Sequence, residues 1–136
     1  MTETINFLLY LSVGYTDIHP QYTVYLDDQQ IDLGNNLNRP RIPFEKKFSV
    51  NLELGKHKLV IDTNNSLARG STITIFNVIA NKFKCNTNSL MINNSKFITQ
   101  DGKEHPVKNI PVIISDNGRF EFEFESPFAY WALEQL

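Results

Sequence analysis

The segment Arg119–Glu125 reads RFEFEFE, and it decides the fold class of this 136-residue chain. Aromatic and acidic residues alternate in it with a period of two, which is the period of a β-strand. Apolar residues on one side and charged residues on the other are typical of a strand with one buried surface. The pattern predicts aromatic side chains in the core and acidic side chains in solvent, in the order Phe120, Glu121, Phe122, Glu123, Phe124 and Glu125.

Outward from this segment, strand patterns dominate the chain. Phe48–Leu54 and Gln21–Leu26 also alternate apolar and polar residues, and Ile5–Tyr15 is apolar enough to form a buried first strand. No segment keeps the apolar spacing of a helix over about 12 residues. The sequence therefore predicts an all-β, jelly-roll-like antiparallel β-sandwich of about eight to nine strands.

Local patterns add expectations about individual strands. Asp27 and Asp28 are typical of a tight turn, which would join two strands into a hairpin. The segment Ser71–Cys85 is long enough for either one bulged strand or two strands joined by a short turn. Leu90–Thr99 and Val107–Ser115 both have the composition of strands.

The bulk composition limits the classes of function. With 41% hydrophobic and 21% charged residues the chain is globular, and its length predicts a single domain over residues 1–136. Thirteen basic against fifteen acidic residues give a net charge of −2, which argues against nucleic acid as a partner. Cys85 is the one cysteine, so an internal disulfide and a cysteine-based zinc site are excluded.

The N-terminal segment indicates where the protein is made. Met1–Tyr15 contains no basic residue and carries Glu3, so it does not have the pattern of a secretory signal peptide. No stretch reaches the ~18 apolar residues of a membrane-spanning helix. We expect a protein that is made in the cytoplasm and has no membrane as a partner.

The sequence contains no recognisable set of catalytic residues. A nucleophilic triad needs Ser, Cys or Thr beside a histidine that a carboxylate orients. The histidines are His19, His57 and His105; the first and last fall in predicted loops, and a surface position is expected for His57. Cys85 has no neighbouring histidine that would lower the pKa of its thiol. The sequence therefore predicts no enzyme.

Acidic and amide residues at the predicted strand ends allow two interpretations. Asp and Asn are favoured in turns because their side chains bond to their own backbone and tolerate left-handed conformations. Their oxygen atoms are also the ligands that calcium prefers. The turn interpretation is favoured and no cofactor is expected, with calcium as the alternative. The candidate ligands for calcium are Asp27, Asp28, Asp62 and Asn65.

The C-terminal segment Ser126–Leu136 reads SPFAYWALEQL and is unusually rich in large apolar residues, namely Phe128, Tyr130, Trp131 and Leu133. Closure of the core by a last strand or short helix is the favoured role. The alternative is that residues 126–136 form a tail that docks on a partner, because aromatic residues dominate interface energies and termini are free to reach a neighbour.

Three segments carry a family resemblance. Tyr22–Asp32, Phe48–Ser66 and Ser71–Phe83 resemble, in this order, jelly-roll carbohydrate-binding modules of the calcium-dependent xylan-binding type. The resemblance implies a jelly-roll fold, with calcium and sugar bound in the loop between the second and third segments, which here is Asn64–Gly70. Similar domains also serve as virion components of tailed bacteriophages.

Two functional hypotheses follow. The first is a non-catalytic structural or interaction protein, an accessory component of a phage particle such as its capsid, tail or fibre. It would be located in the virion, bound to other virion proteins or to itself. The alternative is a carbohydrate-binding module, calcium-dependent if the resemblance holds there too. Its sugar-stacking residues would be Tyr22 and Tyr25, together with Tyr15 or Trp131.

Overall fold

A computed structural model describes residues 1–33, 38–86 and 89–135, and it forms eleven strands and two short helices in them. Every strand pairing is antiparallel. The elements are β1 Thr2–Gly14, β2 Thr23–Leu26, β3 Gln29–Ile31, β4 Phe44–Glu53, β5 Gly55–Asp62, β6 Thr72–Ala80, β7 Phe83–Lys84, α1 Leu90–Asn93, β8 Ser95–Thr99, β9 Glu104–Pro106, β10 Val112–Ile114, β11 Gly118–Ser126 and α2 Phe128–Glu134.

The strands form two sheets. The first sheet has the order β10-β6-β1-β4, with β7 paired to β6, and the second has the order β3-β2-β5-β11-β8-β9. The predicted all-β sandwich is therefore confirmed. Several of the eleven strands are only two or three residues long, which explains why they exceed the expected number. No helix within the described ranges has the length and apolarity required to cross a membrane.

The core lies between β1 of the first sheet and β5 and β11 of the second. Along β1 every second side chain points inward and is almost inaccessible, as Leu9 and Leu11 show with 0% exposure. The phenylalanines of β11 point toward them, and the rings of Phe7 and Phe124 meet at 5.7 Å. Alternation in both strands thus builds one apolar layer, because a period of two puts all apolar residues on the facing surfaces.

The predicted pattern of β11 is confirmed for its aromatic residues and for two of its glutamates. Phe120 and Phe122 have 0% exposure, whereas Glu123 and Glu125 are exposed. The expectation that Glu121 lies in solvent was wrong, because this side chain is only 3% exposed. It points outward from the sheet but is covered by basic neighbours. Arg119 Nε lies 2.8 Å from its carboxylate and Lys58 Nζ lies 3.8 Å from it.

Other local expectations are resolved by the strand pairing. The hairpin at Asp27 is confirmed, since β2 pairs with β3 and Asp27 has a left-handed φ of 56°. The segment Ser71–Cys85 forms two strands, β6 and β7, joined by a turn at Asn81 and Lys82. These residues occupy the left-handed region, which ends β6 and reverses the chain.

Two strand expectations were wrong in part. Of Leu90–Thr99 only the second half is a strand, because Leu90–Asn93 forms a helical turn that buries Leu90 and Met91. Of Val107–Ser115 only Val112–Ile114 is a strand. Pro111 immediately precedes it, and a proline has no N–H to donate to a neighbouring strand.

Helix α2 closes one end of the core, which is the role favoured by its composition. Phe128 and Trp131 are 1% and 6% exposed, and their rings lie 5.5 Å apart against the phenylalanines of β11. The backbone N–H of Phe128 and the hydroxyl of Ser126 both donate to Glu3 Oε1, at 2.9 and 2.6 Å. The start of the helix is therefore tied to the first strand.

We expect Phe128→Ala to lower the free energy of unfolding by about 3–4 kcal/mol, because it removes a fully buried ring from the end of the core. Tyr130→Ala is the matched control. It removes a 72% exposed aromatic side chain of the same helix, and we expect a change within about 0.5 kcal/mol. Urea unfolding of both variants measures the difference, and equal losses would contradict the assignment of α2 to the core.

Candidate functional site

A groove opens where β11 extends beyond its neighbour. Strand β8 pairs with β11 only as far as Phe122, whereas β5 stays paired to Ser126. Asn94 lies beside the uncovered part of β11, since the backbone N–H of Glu123 donates to its carbonyl at 2.9 Å. The groove has a volume of about 600 Å³, and it is lined by Asp27, Asp28, Lys56, His57, Lys58, Asn94, Glu123, Phe124, Glu125 and Trp131.

The polar wall of the groove comes from the register of β5 and β11. Lys56 lies opposite Glu125, and Lys58 lies opposite Glu123, on the outward surface of the second sheet. Directly opposite residues of antiparallel strands have Cβ atoms about 5 Å apart. The groove is therefore lined by two cross-strand pairs, each with one basic and one acidic side chain.

The base of the groove is apolar and belongs to the core. Phe124 is 2% exposed and Trp131 is 6% exposed, so each presents only a narrow part of its ring. The two ring centroids lie 6.5 Å apart at an interplanar angle of 63°. Trp131 also packs on Phe122 with a centroid distance of 6.1 Å. Because these rings are held from several sides, the base is rigid.

An ion pair between Asp27 and His57 fixes the turn at the edge of the groove. His57 Nδ1 lies 2.7 Å from Asp27 Oδ2, and His57 Nε2 lies 2.6 Å from the carbonyl oxygen of Glu53. The other carboxylate oxygen of Asp27 accepts a hydrogen bond from the Lys58 N–H at 2.9 Å. The hairpin β2–β3 is thus tied to β5 through side-chain contacts as well as strand pairing.

The partners of His57 determine its protonation. Burial favours the neutral ring, but the hydrogen bonds that the ring makes to Asp27 and to the Glu53 carbonyl outweigh burial, so the pKa of His57 is raised. Both partners are acceptors, and only the doubly protonated ring can donate from both nitrogens. Both nitrogens of His57 are therefore engaged, and these contacts favour its charged form.

The four predicted calcium ligands do not meet at one point. Asp27 lies next to Lys58 on β5, whereas Asp62 lies at the opposite end of that strand, four residues or roughly 13 Å away. Asp62 accepts a hydrogen bond from the Asn64 N–H at 2.8 Å, and the Asn65 side chain contacts Gln100. Within the described ranges, no group of three or more His, Cys, Asp or Glu is placed to hold a metal ion.

Three of these candidates lie in turns, namely Asp27, Asp28 and Asn65, whereas Asp62 is the last residue of β5. Asp27, Asn64 and Asn65 have φ values of 56°, 55° and 55°, in the left-handed region that Asp and Asn tolerate. This geometry is the one expected from the turn interpretation. Asp28 is the one of the four candidates that remains exposed in the groove beside Asp27.

The predicted ligand-binding aromatic residues lie in different environments. Tyr22 is 3% exposed and its side chain points into the core, where burial raises the pKa of the phenol. It is thus not accessible to a sugar. Tyr25 is half-buried on the outward surface of β2, opposite Val60 and outside the groove. Trp131 lines the groove, whereas Tyr130 and Leu133 are 72% and 61% exposed on α2.

No site role is predicted from sequence for Lys56, Lys58, Glu123 and Glu125. Each pair has the i, i+2 spacing of one strand surface, which is a usable signal. Which pair lies opposite which depends on strand register, however, and local alternation does not determine register between distant segments.

Cys85 and the two histidines outside the groove lie in separate environments. Cys85 is fully buried, and burial raises the pKa of its thiol to about 12, so no thiolate is present near neutral pH. His19 accepts a hydrogen bond from the Asn38 N–H at 2.9 Å and packs on the ring of Tyr15. His105 is exposed on β9.

Comparison with known proteins found one solved structure that resembles this chain. No protein-family model and no curated protein matches the sequence. A solved structure described as "vCBM60 in complex with galactobiose" matches 86% of this chain and 96% of its own, with 10% identity and a TM-score of 0.44. At this identity the two chains share few side chains, so what the groove binds depends on its own residues.

We expect the Asp27–His57 ion pair to make stability depend on pH. Because the pKa of His57 is raised by folding, its contribution is complete below the ordinary histidine pKa of about 6.5 and is lost as pH rises through the folded-state value. His57→Gln should lower the free energy of unfolding by about 1 kcal/mol at pH 6 and by less at pH 9. Asp27 is 44% exposed, which screens the pair.

Urea unfolding at several pH values measures this difference, with His105→Gln as the control. His105 is exposed, and we expect its replacement to leave the pH dependence unchanged. A His57→Gln variant whose deficit stays constant from pH 6 to pH 9 would contradict the assignment of a charged His57.

Proposed function

We propose that this chain is a non-catalytic carbohydrate-binding module whose ligand lies in the groove at the end of β5 and β11. The observation that carries the proposal is the balance of charge around the groove. Its lining contains four carboxylates and three basic side chains, above an apolar base. A ligand with many charges of one sign would meet strong repulsion from part of this lining, whereas a neutral polyol would not.

Sugar hydroxyls match such a lining because each hydroxyl both donates and accepts a hydrogen bond. Glu123, Glu125 and Asp28 supply acceptors, and the ammonium groups of Lys56 and Lys58 supply donors. The exposed edges of Phe124 and Trp131 offer a small apolar contact to the C–H groups of a sugar ring. A volume of about 600 Å³ lies within the usual range of small-molecule sites.

The histidine of the groove and the cysteine of the chain both have structural surroundings, which supports a binding role. A general base needs a nitrogen or carboxylate that is free to take a proton. Both ring nitrogens of His57 are engaged, one with Asp27 and one with the Glu53 carbonyl, so neither is free to take a proton from a ligand. Cys85 lies in the core, away from the groove lining.

Titration calorimetry with neutral di- and trisaccharides tests the proposal. We expect Lys56→Ala and Glu125→Ala each to weaken binding by about 5- to 30-fold, since each removes a charged hydrogen-bonding group worth roughly 1–2 kcal/mol. Lys103→Ala, in the exposed turn between β8 and β9, is the matched control. Absence of binding to every neutral sugar at millimolar concentration, or equal affinities for all variants, would overturn the proposal.

A second candidate function is that of an assembly component, such as an accessory protein of a phage particle. It is favoured by the exposed surface of α2. Tyr130 and Leu133 are three residues apart, so they lie on the same side of the helix, and they are 72% and 61% exposed. Phe128 and Trp131 are committed to the core, so a docking tail would have to act through the other two residues.

Sedimentation velocity at about 100 μM separates the two candidates. Self-association that the double variant Tyr130→Ala, Leu133→Ala abolishes would support the assembly role, because interface energy concentrates in exposed aromatic and apolar anchors. If the protein is monomeric at this concentration, self-association through α2 is contradicted, and the sugar-binding proposal is unaffected.

A further inference from the structure

The outward surface of the first sheet carries an aromatic pair that the groove does not use. The rings of Tyr10 and Phe76 lie 5.3 Å apart at an interplanar angle of 45°. Tyr10 must point outward, because its neighbours Leu9 and Leu11 point into the core with 0% exposure. Its own exposure is 37%, and Phe76 is partly exposed beside it.

Two depressions flank this aromatic pair along β1. One has a volume of about 600 Å³ and is lined by residues that include Asn6, Leu8 and Ser49. The other has a volume of about 290 Å³ and is lined by residues that include Ser12 and Thr74. From Asn6 to Gly14 the outward positions of β1 extend over eight residue steps, or roughly 27 Å. The surface is therefore a strip rather than a closed pocket.

Two cross-strand pairs of neutral polar side chains lie along this strip. Thr4 lies opposite Asn51, and Asn6 lies opposite Ser49, and each pair is joined by a side-chain hydrogen bond. The Ser49 hydroxyl donates to Asn6 Oδ1 at 2.5 Å. In both pairs the amide oxygen is the acceptor, which leaves the amide NH₂ groups of these exposed residues as donors toward a ligand.

Charged side chains of both signs border the strip. Glu45, Lys47 and Glu53 point outward from β4, with Glu45 opposite Tyr10 and Lys47 opposite Leu8. Lys82 lines the larger depression and Arg41 lines the smaller one. The centre is formed by Leu8, Tyr10 and their neighbours on β6. A ligand with many charges of one sign would be repelled by part of this mixed surface, so the strip suits a neutral ligand with apolar ring faces and many hydroxyls.

The strand pairing argues against an extended peptide as the occupant. Strand β1 is hydrogen-bonded to β4 on one side and to β6 on the other. Its backbone groups are therefore used, and a peptide cannot add to it as a further strand. Recognition on this strip has to come from side chains.

We propose that the outward surface of the first sheet, centred on Tyr10 and Phe76, is a second binding site, which takes the extended chain of a neutral polysaccharide. Sugar rings stack through their C–H faces on the two aromatic rings, and their hydroxyls bond to the amides and hydroxyls of β1 and β4. This site goes beyond the groove and shares no residue with it.

Affinity electrophoresis in gels containing arabinoxylan, hydroxyethyl cellulose or β-1,4-galactan tests the second site. We expect at least one of these polymers to retard the wild-type chain, and Tyr10→Ala to weaken the apparent affinity about tenfold. Tyr10→Phe keeps the ring and should bind like the wild type. Ile18→Ala, which alters a 67% exposed apolar side chain elsewhere, is the control for a general surface effect.

The proposals for the two sites can be contradicted independently. If Tyr10→Ala, with an unchanged melting temperature, is retarded as strongly as the wild type, the second site is overturned, and the groove variant Glu125→Ala then shows whether the groove alone binds. Retardation by dextran sulfate but not by the neutral polymers would contradict the proposal that the ligand is a neutral polysaccharide. Self-association that Tyr10→Ala abolishes, without retardation in any gel, would make the strip a protein interface and overturn the proposal.

Discussion

The contacts of Phe124 connect the two sheets, the C-terminal helix and the groove. Its ring meets Phe7 of the first sheet at 5.7 Å, Phe128 of α2 at 5.8 Å and Trp131 at 6.5 Å. It also lies 5.9 Å from the ring of His57, which holds the turn at the groove edge. Protein cores are close-packed, so a small change in the volume of one side chain shifts its neighbours. The shape of the groove therefore depends on how the core is filled.

The two outward surfaces of the sandwich differ in chemistry although both have the same strand geometry. On the second sheet, Arg119 and Lys58 surround the carboxylate of Glu121, which is 3% exposed. A carboxylate so well covered needs its cations, since removing one partner of a buried pair leaves an uncompensated charge. The groove therefore begins beside an ionic network, whereas the first sheet presents aromatic rings and amides together with the exposed charged residues of β4.

Features set by local alternation could be predicted from sequence, and features set by distant pairing could not. The strand β11 and the turn at Asp27 follow from residues that are neighbours in the chain. The contact of Lys58 with Glu121 and the engagement of Asp27 by His57 follow from register between segments that are 30 or more residues apart. Trp131 was a candidate from composition alone, but its place at the base of the groove depends on where β8 ends.

The position of the two proposed sites has a consequence for how the chain would act on a polysaccharide. The groove lies at the second sheet, and the aromatic strip lies on the outward surface of the first sheet, so the core separates them. Two sites gain avidity on one polymer only when the polymer can reach both at once. A stiff chain lying along β1 cannot also enter the groove behind it. Two sites in this arrangement bind separate polysaccharide molecules. Binding through both sites would therefore cross-link the polymer rather than raise the affinity for one polysaccharide molecule.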